Sequence, residues 1–308
     1  MGTTRISRSV RVLAVPIDLG ASRRGTDAGP SAMRVAGLTD SIKKLGHTVS
    51  GDVDIDVPAM ETRNEKSDSA RFLDEILQVC KDLARETRSA LAAGDVPLVI
   101  GGDHSLAMGS VAGVAAHFRE QGEEIGLMWI DAHADMNTPD SSPSGNVHGM
   151  PLAHLLGYGD DRLNNIENSR PAVKPEHTVL IGVRDIDGRE RDFDRESGLT
   201  VVTMRDIDEL GMTEVCRRAM QVLTTGTAGF HVSFDVDGCD PSVMPGSGTL
   251  VPGGINYREA HQLLENCADT GKMTSMDVVE LNPFLDTKNV SAERAVTLVQ
   301  SAFGRSIL

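Results

Sequence analysis

Residues 233–241 read Ser233-Phe234-Asp235-Val236-Asp237-Gly238-Cys239-Asp240-Pro241. The apolar run that leads into them, 229–236, reads as a buried strand, ended by Gly238 and Pro241. On an extended chain residues i and i+2 share a face, so Asp235 and Asp237 point to the same side. Far upstream, Asp131-Ala132-His133-Ala134-Asp135 follows another apolar run and places three potential ligands on one side in the same way. Carboxylates and an imidazole converging in apolar surroundings repel one another. At about 4 Å, two like charges cost ~1 kcal/mol in water and ~4 kcal/mol at an effective dielectric of 20. Multivalent cations relieve that repulsion, so the pattern points to a metalloenzyme.

The same kind of strand recurs along the chain. Strands are expected at 11–18, 96–101, 126–130, 179–183, 199–203, 229–236 and 275–280. Several lack alternation and read as buried on both faces, as in a parallel sheet. Helical stretches lie near 31–45, 69–93, 106–120, 213–223, 256–269 and 291–303, the fifth capped by Asn256 with Glu259 three residues on. This βα alternation predicts an α/β fold: a single doubly wound, mostly parallel sheet flanked by helices on both faces. No linker, repeat or change of composition divides the chain, so one domain over 1–308 is expected. The polar clusters 102–104, 131–135, 184–190, 235–240 and 280–282 all fall at carboxyl ends of these strands, where ligands gather in such sheets.

Of the 308 residues 40% are hydrophobic, and the net charge is −15. Such acidity argues against nucleic acid or an anionic membrane as partner and favours a cationic substrate. No apolar run has the length of a membrane span, and residues 10–17, interrupted by Arg11 and Pro16, do not form a secretory leader. Cys80, Cys216, Cys239 and Cys267 show neither CxxC pairing nor zinc spacing, as expected of reduced thiols in a cytoplasmic protein.

His104 follows a strand in Ile100-Gly101-Gly102-Asp103-His104-Ser105, where the glycines let the backbone turn tightly. With Asp131, His133, Asp135, Asp235 and Asp237 it completes a ligand set of four carboxylates and two imidazoles, balanced by two divalent ions. Oxygen-rich ligation without thiolate suits manganese better than structural zinc. Two bridging carboxylates would hold the ions about 3.5–4 Å apart, as in two-metal hydrolases.

Gly101-Gly102-Asp103-His104-Ser105, residues 131–135 and residues 233–241 resemble the three metal motifs of the ureohydrolases. Asp135-Met136-Asn137-Thr138-Pro139, Ser144-Gly145-Asn146-Val147-His148-Gly149-Met150-Pro151 and Gly182-Val183-Arg184-Asp185-Ile186-Asp187 are similar to the arginase family within them. The resemblance runs from Gly29-Pro30 to the last helix and implies hydrolysis of L-arginine to L-ornithine and urea by a metal-bridging hydroxide. It implies two Mn²⁺ per subunit: one on His104, Asp131, Asp135 and Asp235, the other on Asp131, His133, Asp235 and Asp237. Asp135 would accept a hydrogen bond from the hydroxide, His148 would shuttle the proton, and Glu280 would orient the guanidinium. Asn137, Ser142 and Ser144 would face the α-carboxylate, Asp187 and Glu190 the α-ammonium, and Thr249 would lie near the metals. Ser142 stands where a threonine is frequent, and Gly188-Arg189 where Pro-Gly is common. The family's assembly implies a homotrimer or homohexamer.

Three alternatives compete with arginine hydrolysis: a ureohydrolase for agmatine or a guanidino acid, a metal-binding regulatory protein of the same fold, and a single-zinc deacetylase. The α-carboxylate loop argues against the first, the complete ligand set against the second, and His104 with Asp237 against the third. The glycines at 246–254 read as a tight turn rather than a phosphate loop. His117, His231 and His261 read as packed or surface residues.

Overall fold

Three strands explain the architecture. Ile125–Ile130, Thr178–Val183 and Gly229–Asp235 are buried at every position. Strands with no solvent face belong inside a parallel sheet covered by helices on both sides. The computed structural model, which describes residues 7–65, 67–168, 170–188, 190–191 and 197–305, has this arrangement. In chain order the elements are β1 (Ser9–Val15), α1 (Gly29–Val35), α2 (Leu38–Lys44), β2 (Thr48–Asp54), α3 (Leu73–Ala92), β3 (Val96–Gly101), α4 (Ala107–Arg119) and β4 (Ile125–Ile130). There follow α5 (Pro151–Leu155), α6 (Asp161–Asn164), β5 (Thr178–Val183), β6 (Thr200–Thr203), α7 (Met204–Leu210), α8 (Met212–Thr224), β7 (Gly229–Asp235), α9 (Tyr257–Asp269), β8 (Met273–Val279) and α10 (Val290–Ala302).

The strands form one 8-stranded sheet in the order β2-β1-β3-β8-β7-β4-β5-β6. Every pair is parallel, which sharpens the expected "mostly parallel". The chain builds the two outer groups first, and β7 and β8 then fill the middle. The carboxyl ends of β3, β8, β7 and β4 therefore lie side by side, although their residues are far apart in sequence.

One face of the sheet packs on α1, α2 and α7–α10, the other on α3, α4 and α5. Gly109 and Gly113 let α4 lie close against α3, since a Cβ at either would stand 2.5 or 2.4 Å from a carbonyl oxygen of α3. That contact anchors α4, whose amino end carries His104. Asn256 caps α9 in a reciprocal box with Glu259, as expected.

The structure departs from the sequence reading in several places, among them the short α5 and α6, which were not expected. β2 was not foreseen, because Thr-Val-Ser-Gly-Asp-Val-Asp is a polar, largely exposed edge strand without an apolar signal. The first strand ends at Val15 rather than at 18. The helix expected over 31–45 is broken at Gly37, whose φ of 84° caps one helix and starts the next. α7 was also not foreseen; its Thr203–Asp206 capping box marks its start. Among the described residues no helix is long and apolar enough to cross a membrane.

Candidate active site

The loops that leave β3, β4 and β7 bring the six expected ligands together. His104 Nδ1 lies 3.2 Å from Asp131 Oδ2, 3.1 Å from Asp135 Oδ2 and 3.3 Å from Asp235 Oδ2. His133 Nδ1 lies 3.3 Å from both Asp131 Oδ1 and Asp237 Oδ2. Two groups able to hold an ion follow, His104 with Asp131 and Asp135, and His133 with Asp131 and Asp237, sharing Asp131. The turns around them are built for the purpose. Asp131 Oδ1 accepts from the His133 amide, Asp235 Oδ1 from the Asp237 amide and Asp237 Oδ1 from the Ala132 amide. Asp135 and Glu280 both hold left-handed backbone, at φ 52° and 61°, a strained setting that clusters at functional sites.

The donor set fits metal. His104 Nδ1 is buried among three carboxylates yet aligned with none of them for a hydrogen bond. A buried nitrogen surrounded by acceptors needs a cation or a proton. The electrostatics agree. Burial, with Asp131 next, pushes Asp135 up to about 7. Burial and the neighbouring carboxylates also raise Asp235 and Asp237. Burial opposes charge on His104 as well, but the carboxylates around it pull its pKa well above the ordinary value. In the absence of multivalent cations the cluster would have to hold protons instead.

A cavity of about 130 Å³ opens onto these groups, lined also by Asn137, His148, Gly149, Glu190, Thr249 and Glu280. His148 Nδ1 is 2.8 Å from Glu280 Oε1, which also accepts from the His104 amide at 2.9 Å. Burial lowers the His148 pKa, but Glu280 outweighs it and the imidazole rises to about 9. Burial alone would raise Glu280; His148 holds it below the ordinary carboxylate range. Thr249 Oγ1 donates to Asp237 Oδ2 at 2.6 Å.

The substrate-loop residues divide. Asn137 and Glu190 line the cavity, whereas Ser142, Ser144 and Asp187 do not. Ser142 Oγ accepts from the Gly145 amide and Ser144 Oγ from the Asn146 amide, so both shape the loop. Asp187 stands behind Asn137, accepting from its amide nitrogen at 2.9 Å. Glu190 bridges the two loops through the Met136 amide, and burial with Asp135 nearby raises it to about 8. Arg189, beside it, lies outside the described residues. A larger cavity, about 370 Å³, sits between residues 67–75, Pro139, Asp160 and Arg162, and no imidazole lines it.

Sequence reasoning missed three supports. Trp129 stacks on His104 with ring centroids 4.0 Å apart, and its Nε1 donates to Asp131 Oδ2. Ser233 Oγ is 2.9 Å from His104 Nε2. Arg184 donates to the carbonyls of Gly182, Asp237, Gly238, Cys239 and Val251 at 2.7–3.2 Å, clamping the Asp237 turn to the Thr249 loop. Trp129 and Ser233 could have been suspected from strand parity with Asp131 and Asp235; nothing in the sequence marks Arg184 as a clamp. His231, His117 and His261 pair with Ser275, Gln121 and Ser301, away from the cavity. The glycines at 253 and 254 donate to Asp240 Oδ2 in a turn, as expected. All four cysteines are buried and unpaired.

Known proteins resemble this one along almost the whole chain. The sequence model of the Arginase family matches residues 8–304. The arginase of Brevibacillus brevis is 45% identical over 305 residues, 98% of this chain and 100% of that one. The crystal structure of the Bacillus caldovelox arginase superposes with a TM-score of 0.93 at 43% identity, covering 98% of this chain and 100% of that one. The Entamoeba histolytica arginase, solved in complex with L-ornithine, gives 0.88 at 30% identity, covering 97% and 99%. Likeness of this extent and identity reflects common descent rather than a shared fold alone, so the chain belongs to the arginase family of hydrolases.

Proposed function

We propose that this protein hydrolyses L-arginine to L-ornithine and urea at two manganese ions per chain. The observation that carries the reading is the meeting, in one cavity, of two ligand groups sharing Asp131 with a His148–Glu280 pair on the wall. His104, Asp131, Asp135 and Asp235 would hold one ion; Asp131, His133, Asp235 and Asp237 the other. Bound there, the ions supply Lewis acidity and hydroxide at neutral pH.

The chain's own residues do the rest. Glu280 Oε1 is engaged by His148 and the His104 amide, which leaves Oε2 to receive the substrate guanidinium in a charge-assisted hydrogen bond. Asp135 accepts a hydrogen bond from the attacking water and aims it at the guanidinium carbon. A C–O bond forms there, and the C–N bond to the ornithine side chain breaks. The departing amine needs a proton, and the raised pKa of His148 keeps one available at neutral pH. Asn137 and Glu190 face the amino-acid end of the substrate, with Asp187, Ser142 and Ser144 holding the loops that present them. Thr249 steadies Asp237.

The test is urea release by manganese-loaded protein, with arginine and agmatine compared directly. A site with partners dedicated to the α-carboxylate rejects the analogue lacking it. Arginine should lead by at least about a hundredfold in kcat/KM on that ground. Equal turnover of agmatine would overturn the assignment of the loops. Residues 1–308 are proposed to work as one domain, and the family resemblance supports a cytoplasmic trimer or hexamer, which sedimentation velocity measures in its assembly part.

A further inference from the structure

Below the ligand cluster, the same face of β7 and β8 carries polar groups with no part in the chemistry above. His231, Ser233, Ser275 and Asp277 are fully buried, as is Ser110 on α4. Across the two strands His231 pairs with Ser275, Ser233 with Asp277 and Asp235 with Val279. The row thus runs from the metal ligands into an otherwise apolar layer holding Val99, Val111 and Leu127. Ser110 Oγ donates to Asp277 Oδ2 at 2.6 Å. His231 Nε2 lies 3.0 Å from the same oxygen, out of hydrogen-bond alignment, and its Nδ1 meets Ser275 Oγ at 2.8 Å. Asp277 Oδ1 has no hydrogen-bond partner.

A half-satisfied buried carboxylate is costly, and an apolar side chain of its size would serve packing better. Its position suggests another purpose. With Nδ1 of His104 given to an ion, Nε2 would carry the ring proton and donate to Ser233 Oγ, 2.9 Å away. The hydroxyl of Ser233 then needs an acceptor of its own. Asp277 stands opposite it in the sheet with Oδ1 unpartnered, so a turn of the carboxylate or one ordered water would complete the link.

We propose that Asp277, held by Ser110 and His231, is a positioning residue for the metal centre: through the hydroxyl of Ser233 it holds the His104 ring with Nδ1 facing Asp131, Asp135 and Asp235. Such support orients an imidazole ligand and raises its basicity. This rests on the reading of the cluster as a two-metal site. The effect should fall on the ion that His104 holds and not on its neighbour.

Equilibrium dialysis of the metal-free full chain against Mn²⁺, with elemental analysis, separates the two readings. Two ions should bind to the unaltered protein; if none binds, the metal-centre reading itself fails. Asp277→Asn and Ser233→Ala should each weaken one ion by about tenfold to a hundredfold and leave the other unchanged. Ser233→Thr, which keeps the hydroxyl, should restore the affinity lost in Ser233→Ala, and this pair decides the matter if Asp277→Asn does not fold. In His104→Ala, where the ion on Asp131, His133 and Asp237 remains, adding Asp277→Asn should change nothing further. Unaltered affinity in Ser233→Ala or Asp277→Asn, equal weakening of both ions, or weakening of the remaining ion in the His104→Ala background overturns the proposal while leaving the metal reading intact.

Discussion

Asp131→Asn should strip both proposed ions from the protein and lower kcat for arginine by on the order of 10⁴-fold or more, because the acidified water that the ions would supply is lost. Asp131 belongs to both ligand groups, one carboxylate oxygen near each imidazole. An asparagine there keeps the volume but offers a single acceptor, and it points an N–H group at a cation or at an imidazole nitrogen. The backbone need not move, since the amide oxygen can still accept from Trp129 or the His133 amide. His133→Ala is the contrast, because it touches one group only and should leave one ion bound. Elemental analysis beside a urea assay distinguishes the two variants. Two tightly held ions in Asp131→Asn would mean that the carboxylate is not shared.

His148→Ala should lower kcat by roughly 10²–10⁴-fold, the usual contribution of a positioned general acid, with both ions still bound. The pH dependence carries the sign. His148 donates its proton only while protonated, and with a pKa near 9 it stays charged through neutrality. Activity in the unaltered protein should therefore fall on the alkaline side as pH rises through about 9. Glu280→Gln removes the charge that lifts this imidazole, so the fall should move to lower pH. The same change weakens the hydrogen bond to the guanidinium from charge-assisted to neutral and should raise KM by roughly fivefold to tenfold, about 1–1.5 kcal/mol. An alkaline limb in Glu280→Gln that stays where the unaltered enzyme has it would separate His148 from the proton transfer.

The central strands were legible because burial on both faces leaves a short apolar run, bounded by turn residues and too brief for a helix. β2 was not, because an edge strand facing water can be as polar as a loop. Five of the six candidate ligands could be read from spacing alone, since extended backbone puts alternate residues on one face. His104 became readable only with the other two motifs beside it. What escaped notice depends on neighbours across strands or between loops. Ser233 meets His104 through the sheet's register, and Arg184 acts on carbonyls that no side-chain pattern reveals. Residue type also leaves aim undetermined: Ser142 and Asn137 both suit an α-carboxylate, yet one lines the cavity and the other binds the loop's backbone. The left-handed backbone of Asp135 and Glu280 is invisible in the sequence, because neither residue is the glycine that such angles favour.

Trp129 is the protein's single tryptophan, and it lies flat against the imidazole of one ligand while donating to the carboxylate common to both groups. The molecule thus contains its own optical gauge. Paramagnetic Mn²⁺ bound beside that indole as proposed should quench its emission, so occupancy could be followed in unlabelled material, on a stopped-flow timescale and without any turnover.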